Sequence, residues 1–159
     1  SASTILLNSQ VDRLLSVDLD LDYSGFGGRA VAEHLASDFG SFRIMEGRSQ
    51  DILTYEFLRS EFPDGIDLVF LDGGHTYAEC SADLRSVFPH LSAKGCIVVD
   101  DYMAGPPNGV RFDEVTQAVS DFSSEVEVPA PVRLEQVVLA DALGTGIDII
   151  ASRDMPEGG

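Results

Sequence analysis

The sequence predicts an α/β protein built on a doubly wound, mostly parallel sheet that ends in an antiparallel pair of strands. Three observations carry this expectation. Apolar runs at residues 66–71 and 96–99 bracket a stretch of helical period. Strand-like runs at 14–17 and 42–45 are each followed by helix-like segments, so strand and helix alternate. Two closing strand-like runs, 133–139 and 147–151, are joined by residues 141–146, a connection short enough for an antiparallel pair.

Taken in order, the apolar cluster Ile5-Leu6-Leu7 reads as the tail of a helix, with a strand as the alternative. Residues 14–17 form a short strand that runs into Asp18-Leu19-Asp20-Leu21-Asp22. A calcium-binding EF-hand loop starting there would need Gly at its sixth position and Glu at its twelfth. The chain has Tyr23 and Arg29 instead. Three readings stay open: a nucleophilic Asp18 with Asp20 as acid, an Asp18 that accepts hydrogen bonds from a ribose diol, and a run of solvated loop acids.

Gly25 to Gly28 is a turn by composition, too weak a signal for a phosphate loop. Residues 29–39 read as a helix with Val31, Leu35 and Phe39 along one face. His34 on it is a surface or packing residue. A strand at 42–45 ends at Glu46-Gly47-Arg48-Ser49, a helix follows at 51–62, and Pro63-Asp64-Gly65 forms a turn.

The run Ile66–Leu71, broken only by Asp67, suits a strand buried on both faces and ends at Asp72. Thr76 and Glu79 form a capping box that opens the next helix, whose stripe is Leu84, Val87, Phe88 and Leu91. His90 near its end suits the helix dipole as a cation and reads as structural. After Lys94-Gly95, the strand at 96–99 ends at Asp100-Asp101-Tyr102. A right-handed crossover between neighbouring parallel strands puts Asp72, Asp100 and Asp101 at one carboxyl edge, with strand tips roughly 5 Å apart. Open α/β sheets bind ligands at this edge. Three clustered carboxylates repel one another unless a cation, a proton or a cationic ligand sits among them. The competing reading makes them caps or loop acids, which Thr76 weakens by filling the cap after Asp72.

Residues 103–109 have the composition of a mobile loop leaving that same edge, a candidate lid. Residues 110–122 read as a helix with Val115, Val119 and Phe122 spaced for burial. Pro129-Ala130-Pro131 is a rigid connector. A single domain is expected over residues 1–153, with 154–159 as a flexible tail.

At 159 residues and 44% apolar composition, the chain can bury one real core. Its formal net charge of −17 argues against nucleic acid or an anionic membrane as partner, because both are bound through Lys and Arg. A neutral or cationic small-molecule substrate fits better. Lysine occurs once, at Lys94, against abundant Asp, a surface chemistry like that of proteins adapted to high salt. Cys80 and Cys96 have no Cys or His at metal-ligand spacing, so neither reads as catalytic and a reducing compartment is expected. With no membrane-spanning run and no signal pattern, the expected location is the cytoplasm. Homo-oligomer formation is left open.

Several of these residues together carry a resemblance. Asp72-Gly73-Gly74-His75-Thr76-Tyr77, Asp83-Leu84, Pro89-His90-Leu91-Ser92-Ala93-Lys94-Gly95, Asp100-Asp101-Tyr102 and Thr116-Gln117-Ala118-Val119 occur in that order. The chain thereby resembles the class I S-adenosylmethionine-dependent methyltransferases, within them the small-molecule O-methyltransferases of macrocin and caffeoyl-CoA type. The likeness runs over residues 3–152 and implies a Rossmann-like sheet.

By this resemblance Asp18 matches the acid that holds the cofactor ribose. Gly47, Arg48 and Ser49 fall where the adenine is contacted, Arg48 standing in place of an acid. Asp72, Asp100 and Asp101 match the divalent-metal ligands, magnesium being favoured over manganese or calcium. His75 matches a base or substrate contact, and Asp72 also belongs with the cofactor and catalytic residues. The implied function is methyl transfer from S-adenosylmethionine, metal-assisted, to a small-molecule hydroxyl. A non-catalytic nucleotide-binding or assembly module of the same fold is the alternative.

The front of the chain departs from the pattern. The first strand and its glycine-rich loop are expected to be missing, because Ser1-Ala2-Ser3-Thr4 already resembles the helix beyond them. The isolated chain is then expected to be poorly stable or inactive.

Overall fold

Strands and helices do alternate, as a computed structural model of the chain shows. It describes residues 11–23, 27–102, 113–126, 136–137 and 147–152. The helix expected around Ile5, the lid at 103–109 and the connector at Pro129 lie outside these residues, as do Gly25 and Phe26 of the expected turn. The chain divides into two compact units, residues 1–52 and 53–159.

The first unit is a parallel pair, β1 (Leu14–Asp18) and β2 (Phe42–Glu46), in the register Leu14 to Phe42 through Asp18 to Glu46. A parallel pair needs a crossover, here helix α1 (Gly28–Asp38). The expected apolar face of α1 is turned: Val31 is exposed while Ala32 is buried, and Phe39 is the C-cap. A short helix α2 (Ser49–Ile52) follows β2.

The second unit opens with α3 (Tyr55–Glu61). The single helix expected at 51–62 is therefore two. Thr54 separates them because its extended backbone and its hydroxyl, which accepts the Phe57 N–H at 3.3 Å, begin a new helix. Next come β3 (Ile66–Leu71), α4 (Tyr77–Val87), a 3₁₀ turn at Phe88–His90 and β4 (Leu91–Val99). The expected helical stripe thus stops at Val87. Pro89 supports the tight turn, and Leu91 is buried as the first residue of β4. Helix α5 (Asp113–Glu125) buries Val115, Val119 and Phe122 as the spacing predicts, with Ala118 beside them. Strands β5 (Gln136–Val137) and β6 (Ile147–Ser152) close the unit.

The sheet order is β3-β4-β6-β5. β3 and β4 are parallel, while β6 is antiparallel to both β4 and β5, so the closing hairpin is present. Leu68 to Leu71 pair with Cys96 to Val99, and a bulge separates this stretch from the Ile66–Leu91 pair. One face of the β3–β4 pair, with Ile97 and Val99 backed by Val69 and Leu71, meets Leu84 and Val87 of α4 and Val115, Val119 and Phe122 of α5. Leu84 is fully buried at the centre.

β3 is not buried on both faces. Leu68 and Phe70 are 53% and 47% exposed, because among the described residues α4 and α5 pack on the opposite face, with Val69 and Leu71. Among the described residues no helix is long and apolar enough to cross a membrane.

Candidate active site

Parallel pairing of Leu71 with Val99 leaves the next residue of each strand at a common carboxyl edge. The Asp100 N–H donates to the Leu71 carbonyl at 2.9 Å, so the ladder extends one bond past β4 and holds the two tips together. Asp72 leads into the loop Gly73-Gly74-His75, and Asp101 turns the chain away from β4 with φ of 58°. That left-handed conformation is uncommon for a side-chain-bearing residue, although Asp tolerates it better than most. The Asp100 carboxylate helps, since its Oδ1 accepts the Asp101 N–H at 2.8 Å.

These turns bring together Asp72, His75 and Asp101, whose ligand atoms all lie within 4.8 Å of one another. His75 Nε2 is 3.0 Å from Asp101 Oδ2. Burial and the neighbouring Asp100 carboxylate push the Asp101 pKa up, against a smaller downward pull from His75. The repulsion expected among clustered acids is therefore present, and the imidazole partly relieves it. Asp100 lines the same small cleft as Asp72 and His75, together with Gly73, Gly74 and Asp83. Asp72 and Asp101 bring oxygen donors close enough together to suit a divalent cation, while the third member of the cluster is His75 and not the Asp100 that the resemblance implied.

The other expected site residues lie in the first unit. Asp18 is exposed at the tip of β1, opposite Glu46, and its Oδ1 accepts the Asp20 N–H at 3.1 Å. Asp20 in turn accepts the Asp22 N–H at 2.9 Å. Gly47 donates its N–H to the Asp18 carbonyl and has φ of 143°, a conformation that favours glycine. Arg48 is exposed and its carbonyl accepts the N–H groups of Asp51 and Ile52. Ser49 begins α2, and its hydroxyl takes a bond from the Gln50 amide.

Sequence reasoning missed an ion cluster at this end. Arg29 bonds Glu46 at 2.6 and 2.8 Å and Asp22 at 2.9 Å, so the second acid at the strand tips is already neutralised. These pairs raise the Arg29 pKa, Glu46 contributing most. No local signal pairs position 29 with position 46, because only the packing of the crossover helix α1 beside β2 brings them together.

His34 is exposed beside Asp38 at 3.4 Å. His90 is structural for a reason other than a helix dipole. It is buried against the Tyr55 ring, centroids 4.7 Å apart, and among the described residues its Nε2 meets no hydrogen-bond partner. Burial, with a smaller effect from Arg59, lowers its pKa, so the ring is neutral rather than cationic. Cys80 and Cys96 are free thiols. Burial, then Asp83, pushes Cys80 up to about 11, which agrees with an inert thiol.

Residues 2–102 match a family described as methyltransferase domain. Protein R132 of Acanthamoeba polyphaga mimivirus is 29% identical over 108 residues, 64% of this chain and 46% of that protein. The chain thus spans about half the length of that curated relative. Among solved structures, a Corynebacterium glutamicum protein is 16% identical with a TM-score of 0.61, over 99% of this chain and 68% of that one. The MycE methyltransferase of the mycinamycin biosynthetic pathway was solved with Mg, SAH and mycinamycin VI. It is 18% identical with a TM-score of 0.53, over 94% of this chain and 47% of its own. CalS11, a TDP-rhamnose 3′-O-methyltransferase of calicheamicin biosynthesis, is 14% identical with a TM-score of 0.52, over 86% of this chain and 58% of its own. At these identities the likeness is one of fold: a Rossmann-like α/β arrangement.

Proposed function

Because the chain belongs to the methyltransferase domain family, we propose that it serves methyl transfer from S-adenosylmethionine to a hydroxyl of a small molecule, assisted by a divalent cation. The observation that carries this reading is the meeting of Asp72, His75 and Asp101 within 4.8 Å at the carboxyl edge of β3 and β4. The presence of Mg and SAH in MycE, a fold neighbour, agrees with it.

Asp72 and Asp101, with Asp100 beside them, would hold the cation, magnesium by their oxygen donors. When bound, the cation supplies charge that lowers the pKa of an acceptor hydroxyl. Asp18 would hold the cofactor ribose, and Gly47, Arg48 and Ser49 its adenine. The sulfonium supplies an electrophilic methyl, so the remaining work is to orient the acceptor and receive its proton.

His75 suits the second task. An Nε2–H donated to Asp101 places the imidazole lone pair on Nδ1, the atom that would take the hydroxyl proton. Asp101 then offsets the charge of the imidazolium. The strong negative charge of the chain favours a neutral or cationic acceptor over an anionic one.

Calorimetry of the full-length protein with S-adenosylmethionine, and separately with magnesium, tests the reading. Binding of both is expected, with cation binding lost in Asp101→Ala. Absence of cofactor binding sinks the proposal, and methyl transfer undiminished by excess chelator removes the cation from it. Cofactor binding without turnover of any hydroxyl acceptor would favour a non-catalytic module of the same fold.

A further inference from the structure

Asp83 is a carboxylate with only 4% of its surface exposed, on a face of α4 that otherwise buries Cys80, Leu84 and Val87. A carboxylate taken out of water costs several kcal/mol unless specific contacts compensate it. Helix packing alone would be served better by an apolar residue, so what Asp83 touches explains its presence. Its Oδ2 lies against the backbone of Gly73, where a side-chain Cβ would come within 3.1 Å.

Glu79, one turn earlier on the same helix face, does the same to the next residue. Its carboxylate occupies the space a Cβ at Gly74 would fill. Glu79 is itself fixed by the capping box, accepting the Thr76 hydroxyl proton at 2.7 Å while its own N–H bonds the Thr76 oxygen at 3.3 Å. Two acids one helical turn apart thus underlie two consecutive glycines. Asp72 and His75 are the residues on either side of that pair.

We propose that Asp83 is a positioning residue: by packing beneath Gly73 it seats, together with Glu79, the loop that presents Asp72 and His75 to the cleft. The double glycine is the matching feature, since a Cβ at Gly74 would run into the Glu79 side chain and one at Gly73 would crowd the Asp83 carboxylate at 3.1 Å. Asp83 acts through the loop, and its importance to catalysis rests on the methyl-transfer reading. A loop displaced by about 1 Å loses on the order of a hundredfold in rate when it carries reacting groups.

Amide hydrogen exchange on the full chain tests this without turnover. Asp83→Asn keeps the side-chain shape and removes the charge. It should speed exchange of the amides from Gly73 to Thr76 about tenfold and leave Leu84 and Val87 protected. Gly73→Ala approaches the same contact from the loop and should give the same signature, including where Asp83→Asn fails to fold. The double variant should show less than the sum of the two effects. Manganese affinity, measured with the metal alone, should fall in parallel with the loop exchange.

Unchanged loop exchange in both single variants overturns the proposal, as does loop and helix exchange rising together, which marks a merely structural acid. If the unsubstituted chain binds no manganese, the cation reading fails while the exchange data still decide the role of Asp83.

Discussion

Exchanging Asp101 for Gly and for Ala should reverse the usual order of stability. At an ordinary position glycine is the less stable by about 0.5–1 kcal/mol, because the unfolded chain gains more freedom. Asp101, with φ of 58°, is the residue other than glycine with positive φ among those described. A Cβ in that region costs about 1–2 kcal/mol, which glycine avoids. Both variants lose the same carboxylate, the same contact to His75 and the same repulsion from Asp100, so these effects cancel between them. The difference leaves Asp101→Gly more stable than Asp101→Ala by roughly 0.5–1 kcal/mol. For a chain of this size that corresponds to about 2–4 °C in melting temperature per kcal/mol. Urea titrations of both variants, followed by circular dichroism, supply the comparison. An alanine variant equal to or more stable than the glycine variant would refute the argument that the turn at Asp101 is held against its backbone preference. Calorimetry on the same samples should show cation binding lost to the same extent in both.

Leu84→Ala should cost about 2–5 kcal/mol in urea unfolding, since Leu84 is fully buried where α4 meets the sheet and its removal leaves a cavity. Thr76→Ala removes both halves of the capping box and should destabilise by about 1 kcal/mol, with faster exchange at the Glu79 amide. The lowered pKa of His90 means that the unfolded state takes up a proton more readily than the folded one. Its contribution is therefore complete above the unfolded pKa, near 6.5, and is lost as pH falls below it. Replacing His90 by Phe should flatten the fall in urea midpoint between about pH 7 and pH 5, and an unchanged slope would assign the acid sensitivity to other groups.

The sequence alone determined where the two strands end at the site, because that information is local. The apolar runs Ile66–Leu71 and Cys96–Val99 stop at Asp72 and Asp100, and Thr76 with Glu79 states where α4 starts. A parallel crossover then leaves little choice but to put Asp72 and Asp100 at one edge, as the Leu71–Val99 pairing does.

Tertiary structure decided what no local period encodes. Leu91 has the spacing of a helical residue yet starts β4, because the 3₁₀ turn around Pro89 ends the helix first. Leu68 and Phe70 read as core but stand exposed among the described residues, since which face the helices cover is a long-range property. Arg29 meets Glu46 through the packing of α1 beside β2, and Asp83 lies under Gly73 through the path of a loop. Periodicity specifies which face of an element leaves water. Which side chains then converge depends on where the rest of the chain places their partners, and it was that placement that put His75 beside Asp101.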